Sequence, residues 1–448
     1  MKKYILSIVA CFISFCMNAQ TASTPAVLSL DEIRDLALKN NIAIRNASLK
    51  TDMASELRKE AFTKYFPVVN AVGMAFASTS DILKYNYKKE VEIPPIQDAL
   101  PNGATFDLDL KLGLIDKGIM AGVNILQPVY TGGLIRNGNK LAELGEAVAE
   151  LQSQQSKDQV LVTVEQYYWQ LASLKSKRTT VNHVIALLDT LERQVSMAVK
   201  AGVVMRNDLL EVQLRRNEML TGRVELENGI SLVSLLLGQY IGKGMVPVDI
   251  KDSIPLDAEI EKPALFYMAP SDALASTIDY QLLQQNVKAS ELERKIAYGA
   301  NLPKVGVGAG FFYNNLIEQG HGFGAIYAVV TVPISGWWGG SHAVKQMRIK
   351  ETIAKNQLDD YSELLQVKMK NAWDAMNTSY DKIGIARQSV EFAQENLRLN
   401  QNYYRAGTVT ITDLLKAQSL YLQSNDQYVD AYGNYRIKIV EYLQSTGR

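Results

Sequence analysis

The sequence predicts a mainly α chain with a membrane β-barrel portion. It reads as two tandem repeats, each a β-hairpin followed by long antiparallel coiled-coil helices. Three observations carry this. A phrase, Ala201-Gly202-Val203-Val204 with Asp208-Leu209-Leu210 and Gln213, returns 205 residues later as Ala406-Gly407-Thr408-Val409 with Asp413-Leu414-Leu415 and Gln418, seven of 13 positions being identical. Each copy lies between two long stretches free of helix breakers. Ahead of those stretches, each half has two runs that alternate with period two. Self-similarity at a fixed distance marks a duplicated architecture.

The duplication fixes the domain plan. Pro128 and Pro333 are also 205 apart, whereas Tyr65-Phe66-Pro67-Val68-Val69 matches Asn301-Leu302-Pro303-Lys304-Val305 at an offset of 236. The first half therefore carries 31 extra residues between Pro67 and Pro128. The plan is residues 1–19 as a leader, 20–239 as the first repeat, 240–270 as a linker and 271–448 as the second repeat.

Lys2 and Lys3 precede an apolar run from Tyr4 to Phe15, and Met17-Asn18-Ala19 ends on a small residue. That is the pattern of a secretory signal peptide. Both cysteines, Cys11 and Cys16, fall inside it. Cys16 is a candidate for lipidation, but it follows Phe15 where a small residue is expected. The remaining chain has no cysteine, hence no disulfide. It also has no apolar run of 18 residues, so no membrane-spanning helix is expected. An exported chain of this kind is periplasmic, secreted or an outer-membrane β-protein.

Residues 30–65 read as helix, with Ser29 ahead of Asp31 and Glu32 as a start signal and Leu30, Ile33, Leu36, Ala37 and Leu38 as an apolar face. Residues 271–300 are the counterpart in the second half. After each helix comes a proline and a change of period. Residues 67–79 place Val68, Val72, Met74 and Phe76 against the small Ala71, Gly73, Ala75 and Ala77. Residues 303–315 place Val305, Val307, Ala309, Phe311 and Tyr313 against Gly306, Gly308 and Gly310. These alternations predict strands, with second strands at about 118–130 and 322–334. Their length suits a tilted strand crossing a bilayer, which takes about 9–11 residues. An ordinary soluble hairpin is the alternative, and the glycine-rich faces with Tyr130, Trp337 and Trp338 at strand ends favour the membrane. Between the strands, residues 80–117 read as a long polar loop and residues 316–321 as a short one.

Four strands cannot close a membrane barrel, since single-chain barrels start at about eight. An open edge in lipid costs several kcal/mol per unpaired backbone group. The strands therefore demand oligomerisation, and three copies would supply twelve.

From Gly132-Gly133 to Lys200 there is no proline, and the same holds from Gly340 to Arg405. Helices of this length reach roughly 100 Å. Each turns at an Ala-Gly tip (201–208 and 406–413) and returns. The last segment carries Leu414, Tyr421, Tyr428, Tyr435 and Tyr442 at a spacing of seven. A strict seven-residue repeat predicts coiled-coil packing. We read the tyrosines as packing residues rather than a ligand ladder. The linker 240–270 is rich in Pro, Gly and charge, and a small mixed patch beside the helices is expected there.

Composition excludes several classes. The chain has 47 basic and 47 acidic residues, so it lacks the surplus of a nucleic-acid binder. Its histidines, His183, His321 and His342, have no metal-ligand spacing. No phosphate loop or nucleophile motif occurs. No enzyme activity, cofactor or metal is expected.

The order of signal, short helix, strand pair, long helix, Ala-Gly tip and returning helix, all repeated, resembles the TolC family of outer-membrane efflux proteins. The resemblance covers essentially the whole chain after the leader. It rests on LSLDEIRDLALKNN at 28–41, the junctions QPVYTGG at 127–133 and VPISGWWGG at 332–340, and the two tips. It implies a homotrimer: a twelve-stranded outer-membrane barrel joined to an α-helical tunnel through the periplasm. The tunnel would dock on a periplasmic adaptor and an inner-membrane pump of the resistance-nodulation-division or ABC type, and would conduct passively. By resemblance, Ala201, Gly202, Val203, Ala406, Gly407 and Thr408 contact the adaptor. Tyr404 and Asp208 link the two helical hairpins of a closed gate, with Tyr404 donating to Asp208, and Asp413 lines a constriction. Two positions depart from the pattern: Val409 stands where the gate arginine is expected, and Lys416 where a second acidic ring is expected. Asp413 and Lys416, three apart on a helix face, can pair, which implies a weaker lock and a less cation-selective mouth. Both Asp208 and Asp413 also sit where a helix N-cap is expected. A periplasmic coiled-coil scaffold with a small soluble sheet is the alternative from another class. A simple porin would give the long helices no role.

Overall fold

The computed structural model describes residues 27–80, 84–93, 104–113, 117–251, 254–256, 260–316 and 320–448. The leader 1–19, with Cys11 and Cys16, lies outside them. The elements in order are β1 (Val27–Leu28), α1 (Leu30–Asn40), α2 (Ile42–Thr63), β2 (Val68–Ala77), β3 (Lys84–Ile93), β4 (Ala104–Gly113) and β5 (Lys117–Tyr130). The first half ends with α3 (Leu134–Lys200) and α4 (Arg206–Tyr240). Then come β6 (Asp249–Ile250), α5 (Pro270–Ala273), α6 (Ile278–Ala300), β7 (Lys304–Asn314), β8 (His321–Thr331), α7 (Gly336–Arg405) and α8 (Ile411–Ser445). The chain divides into two compact units. Among the described residues, a helical unit holds those within 27–53, 147–285 and 355–448, and a strand unit those within 54–146 and 286–354.

In the helical unit the chain enters at a capping box. The Ser29 backbone N–H donates to Glu32 Oε2 at 2.7 Å, and the Glu32 N–H donates back to Ser29 Oγ at 3.4 Å. The Ser29 N–H and hydroxyl, both donating to the Glu32 carboxylate, hold that carboxyl down at about 2, with Lys251 adding less. The helix expected over 30–65 breaks at Asn41, which is extended (φ −62°, ψ 134°). Asn41 makes the break affordable locally: its amide donates to the Tyr240 carbonyl at 2.8 Å, and its Oδ1 accepts the Ala43 N–H at 2.8 Å, restarting the helix as α2.

The core of this unit is built on four fully buried tyrosines, Tyr168, Tyr428, Tyr435 and Tyr442. Three of them belong to the seven-residue stripe. Their rings pack with the helices, while their hydroxyls reach the linker between the halves. Tyr428 Oη donates to the Pro255 carbonyl at 2.8 Å, Tyr435 Oη to the Glu261 carbonyl at 2.5 Å, and Tyr442 Oη accepts the Met268 N–H at 3.0 Å. A helical stripe thus clasps an irregular segment at nearly regular intervals, satisfying backbone groups that have no ladder of their own. The mixed patch expected in the linker is a two-residue parallel ladder, Val27↔Asp249 and Leu28↔Ile250. Lys175 Nζ anchors it through Asp249 Oδ1 at 2.6 Å. Nearby, α1 is fastened to α3 by Arg34, whose Nε donates to the buried Glu165 at 2.8 Å, and Glu165 also accepts Trp169 Nε1 at 2.8 Å.

In the strand unit a four-stranded antiparallel sheet runs in the order β2-β5-β7-β8. Its strands of 10, 14, 11 and 11 residues all have membrane-spanning length. Strands β2 and β8 are its open edges. Register supplies the phase between strands that alternation leaves open. Val72 pairs with Gly122, which pairs with Phe312, which pairs with Phe323, whereas Ala71 pairs across Val123 and Phe311 to Gly324. The large residues of β2 therefore share a face with the glycines of β7, so the faces read as apolar in the two halves are opposite faces of one sheet. The reason is that period two fixes alternation within a strand, not phase between strands.

Sorted by register, one face carries Val69, Ile119, Val123, Ile125, Val307, Phe311, Tyr313, Ile326 and Val330, with only Lys117 as a charge at its end. The other carries Asn70, Asn124, Asn314, His321 and Tyr327 among Val72, Met74, Met120 and Phe312. On this second face Asn124 Nδ2 donates to Tyr327 Oη at 3.3 Å. The glycines make room for rings: a Cβ on Gly308 would lie 2.5 Å from Tyr327, and one on Gly122 2.6 Å from Phe312.

One expectation about the strand unit is corrected, that of a long polar loop over residues 80–117. Within them β3 and β4 form a two-stranded hairpin of their own, from Lys84↔Gly113 to Ile93↔Ala104. Its charges hid it, because one face of the hairpin is almost wholly charged while the other is apolar apart from Lys89.

Candidate gate and docking site at the helical tips

Each tip is a helix stop, a glycine and a helix start. α3 stops in a Schellman motif: Gly202 N–H reaches the Val199 carbonyl at 3.0 Å and Val203 N–H the Ala198 carbonyl at 2.9 Å. α7 stops identically, Gly407 to Tyr404 at 3.0 Å and Thr408 to Tyr403 at 2.9 Å. The motif needs a left-handed residue, and Gly202 and Gly407 have φ of 75° and 73°. No atom lies within 4 Å of where a Cβ would sit at either glycine, so geometry of the backbone rather than crowding selects them.

The restarts differ. Thr410 caps α8 in a capping box: Asp413 N–H donates to Thr410 Oγ1 at 3.2 Å, and Asp413 Oδ2 accepts from Thr410 N at 3.1 Å and from its hydroxyl at 2.6 Å. Asp413 is thus the third helical residue reaching back, not the cap itself. At the equivalent position α4 starts from Met205, which offers no acceptor, and no side chain caps it. Asp208 therefore caps nothing. The expectation that both aspartates cap is corrected to one capping box in the second half.

The predicted gate residues fall as follows. Tyr404 lies in the last turn of α7, half-buried in a cluster with Val199, Val204, Leu209 and Leu415, over buried Leu188, Val212 and Leu414. Burial, and then the negative charge of Asp208, push its phenol above the usual tyrosine range. Asp208 is therefore near, but the two side chains are not hydrogen-bonded. Asp413 is exposed, and its carboxyl is held below the usual range by the Thr410 hydroxyl and N–H, with the Lys416 charge adding less. Lys416 is exposed and forms no ion pair with Asp413, because the carboxylate is already turned back to Thr410. Val409 is half-buried, like Val204 at the matching place in the first tip. All six residues of the docking expectation, Ala201, Gly202, Val203, Ala406, Gly407 and Thr408, are exposed, with Val203 at 77%.

Sequence reasoning missed the bonds that join the two helical hairpins just behind the tips. Thr412 Oγ1 donates to Glu211 Oε2 at 3.1 Å, and Arg215 donates to Ser419 Oγ at 2.6 Å. A signal existed. At the repeat offset Glu211 corresponds to Lys416 and Asn207 to Thr412, so the copies diverge where the hairpins face one another. Among the described residues no group of His, Cys, Asp or Glu is placed to hold a metal, and no helix is long and apolar enough to cross a membrane.

Comparison with known proteins bears on this arrangement. Residues 269–448 match the family described as outer membrane efflux protein. No curated protein is matched. Among solved structures, the Campylobacter jejuni CmeC outer membrane channel superposes with a TM-score of 0.75 at 15% identity, over 93% of this chain and 85% of that one. The open state of the Neisseria gonorrhoeae MtrE outer membrane channel gives 0.73 at 16%, over 93% and 88%. The outer membrane protein VceC of Vibrio cholerae gives 0.71 at 15%, over 93% and 96%. At these identities the likeness speaks for the fold, over nearly the full length of each chain.

Proposed function

We propose that this chain, a member of the outer membrane efflux protein family through its residues 269–448, closes its sheet with two further copies into a twelve-stranded pore. It is an outer-membrane efflux channel whose helices extend into the periplasm. The observation that carries the pore reading is the sheet itself: four strands of membrane length, two open edges, and one apolar face whose only charge among the described residues is Lys117 at its end. Closure pairs every edge group, which hydrocarbon requires. The apolar face then meets lipid and the Asn70, Asn124 and Tyr327 face lines the lumen. The chain supplies conduit and no energy, so an adaptor and an inner-membrane pump complete the system in this reading. The exposed tips are the adaptor's docking surface.

The tips are also the gate. Tyr404 lies near enough to Asp208 to feel its charge without bonding to it, and in this reading the pair joins on closing. Tyr404→Phe with Asp208→Ala raises the resting conductance, and an unchanged conductance means the shut state is held elsewhere. Asp413, kept ionised by Thr410, lines the mouth, with Lys416 offsetting it. The purified protein in planar bilayers tests the pore directly: discrete conductance steps are expected, with weak cation preference. A protein that forms no pores but sediments as a soluble coiled coil favours the scaffold reading instead.

A further inference from the structure

The β3–β4 hairpin has no role in a conduit as described so far, yet its surface is sharply two-sided. By register Tyr87, Val91, Phe106 and Leu108 share one face with Lys89. All four apolar side chains stand in the open, with Phe106 58% exposed. By register the opposite face holds Lys84, Lys88 and Lys111 with Glu90, Glu92, Asp107 and Asp109, so it is densely charged. Lys88 reaches Asp109 at 3.6 Å, while Glu90 lies directly opposite Asp107 with no cation between them. A lone two-stranded hairpin is marginal in water, and like charges facing across strands weaken it further. Something must cover the apolar face.

The position of the hairpin says what. It leaves the four-stranded sheet beyond the Ala77↔Lys117 rung, at the end away from the helices of the same unit. One of its two stems is β2, an edge strand, where a neighbouring copy must pair if the sheet is to close. The hairpin therefore rises at the seam between copies. A densely charged face is costly to strip of water, which leaves the apolar faces as those that can meet.

We propose that the apolar faces of these hairpins from neighbouring copies pack together above the strands, forming a shared apolar cluster with the charged faces outward. The inference rests on the pore reading, and the experiment separates the two. Outer membranes carrying full-length Phe106→Cys or Asp107→Cys protein are treated with oxidant or a bis-maleimide, and with a membrane-impermeant maleimide. Oligomeric state is read in parallel by unheated electrophoresis. The inference expects Phe106→Cys to cross-link chain to chain at least tenfold faster than Asp107→Cys, and to label at least tenfold more slowly with maleimide. An oligomer in which both positions label alike, or both cross-link alike, overturns the inference and leaves the pore standing. An oligomer in which Phe106→Cys is shielded but cross-links only to another protein also overturns it. A chain that migrates only as monomer overturns both.

Discussion

Replacing Tyr428, Tyr435 and Tyr442 together by phenylalanine tests what holds the two halves to their linker. Each ring stays in place, since Phe fills the same buried space, so the change removes three hydroxyls and little else. Each hydroxyl now bonds a linker backbone group: the Pro255 and Glu261 carbonyls and the Met268 N–H. A neutral hydrogen bond of this kind is worth about 1 kcal/mol net. The three sites lie seven residues apart on α8, about 10 Å by helical rise, far enough for their effects to add. The triple variant should therefore loosen residues 255–268 by about 3 kcal/mol, or roughly a hundredfold in the open population. Limited proteolysis within the linker reads that population directly, and each single variant should accelerate nicking by about five- to tenfold. Unchanged nicking in the triple variant would refute the clasp and return the tyrosines to packing alone. The pH dependence carries a second check. Burial, with Tyr380 and Glu261 beside it, raises the Tyr435 phenol to about 12. A raised folded-state value means its contribution is intact below the unfolded value near 10 and is lost as pH climbs from about 10 to about 12. Linker protection should fall across that window, and Tyr435→Phe should flatten the fall.

Further outcomes follow from single contacts. Thr410→Val removes the capping box of α8 and should cost about 1 kcal/mol, seen as faster amide exchange over the first turn of α8 with α4 unaffected. Gln418 is 2% exposed and its Oε1 has no hydrogen-bond partner, so Gln418→Met should stabilise the protein by about 1 kcal/mol, read as a raised melting temperature in detergent. Gly238→Ala puts a Cβ 2.1 Å from the Val246 carbonyl oxygen and should detach the start of the linker, costing more than the roughly 1 kcal/mol expected for Gly407→Ala from its positive φ alone; comparative denaturation decides. Lys416→Ala leaves Asp413 unopposed at the mouth, so reversal potentials across a salt gradient should shift toward cation selectivity.

Much of the fold was legible because it is periodic. The 205-residue repeat, the breaker-free runs and the heptad of tyrosines each write one structural rule into many residues. What stayed hidden was relational. Alternation in β2 and β7 gave no phase between them, so the shared face emerged only from the pairing of Val72 through Gly122 to Phe312. The β3–β4 hairpin read as loop because Lys88, Glu90, Asp107 and Asp109 outweighed the interleaved Val91, Phe106 and Leu108. At the tips, glycine and the Schellman stop were readable from Ala-Gly alone. The capping difference was also on the page in Thr410 against Met205, and was obscured by the identical aspartates beside them. The Glu211–Thr412 bond joins residues about 200 apart, and nothing local announces such a pair.

The central claim is that the open four-stranded sheet closes only by joining copies. Native mass spectrometry of the detergent-extracted protein tests it most directly. One species of three chains that comes apart only after heating is the expected result. Stable monomers with their strands intact, extracted from the outer membrane under the same conditions, would contradict it.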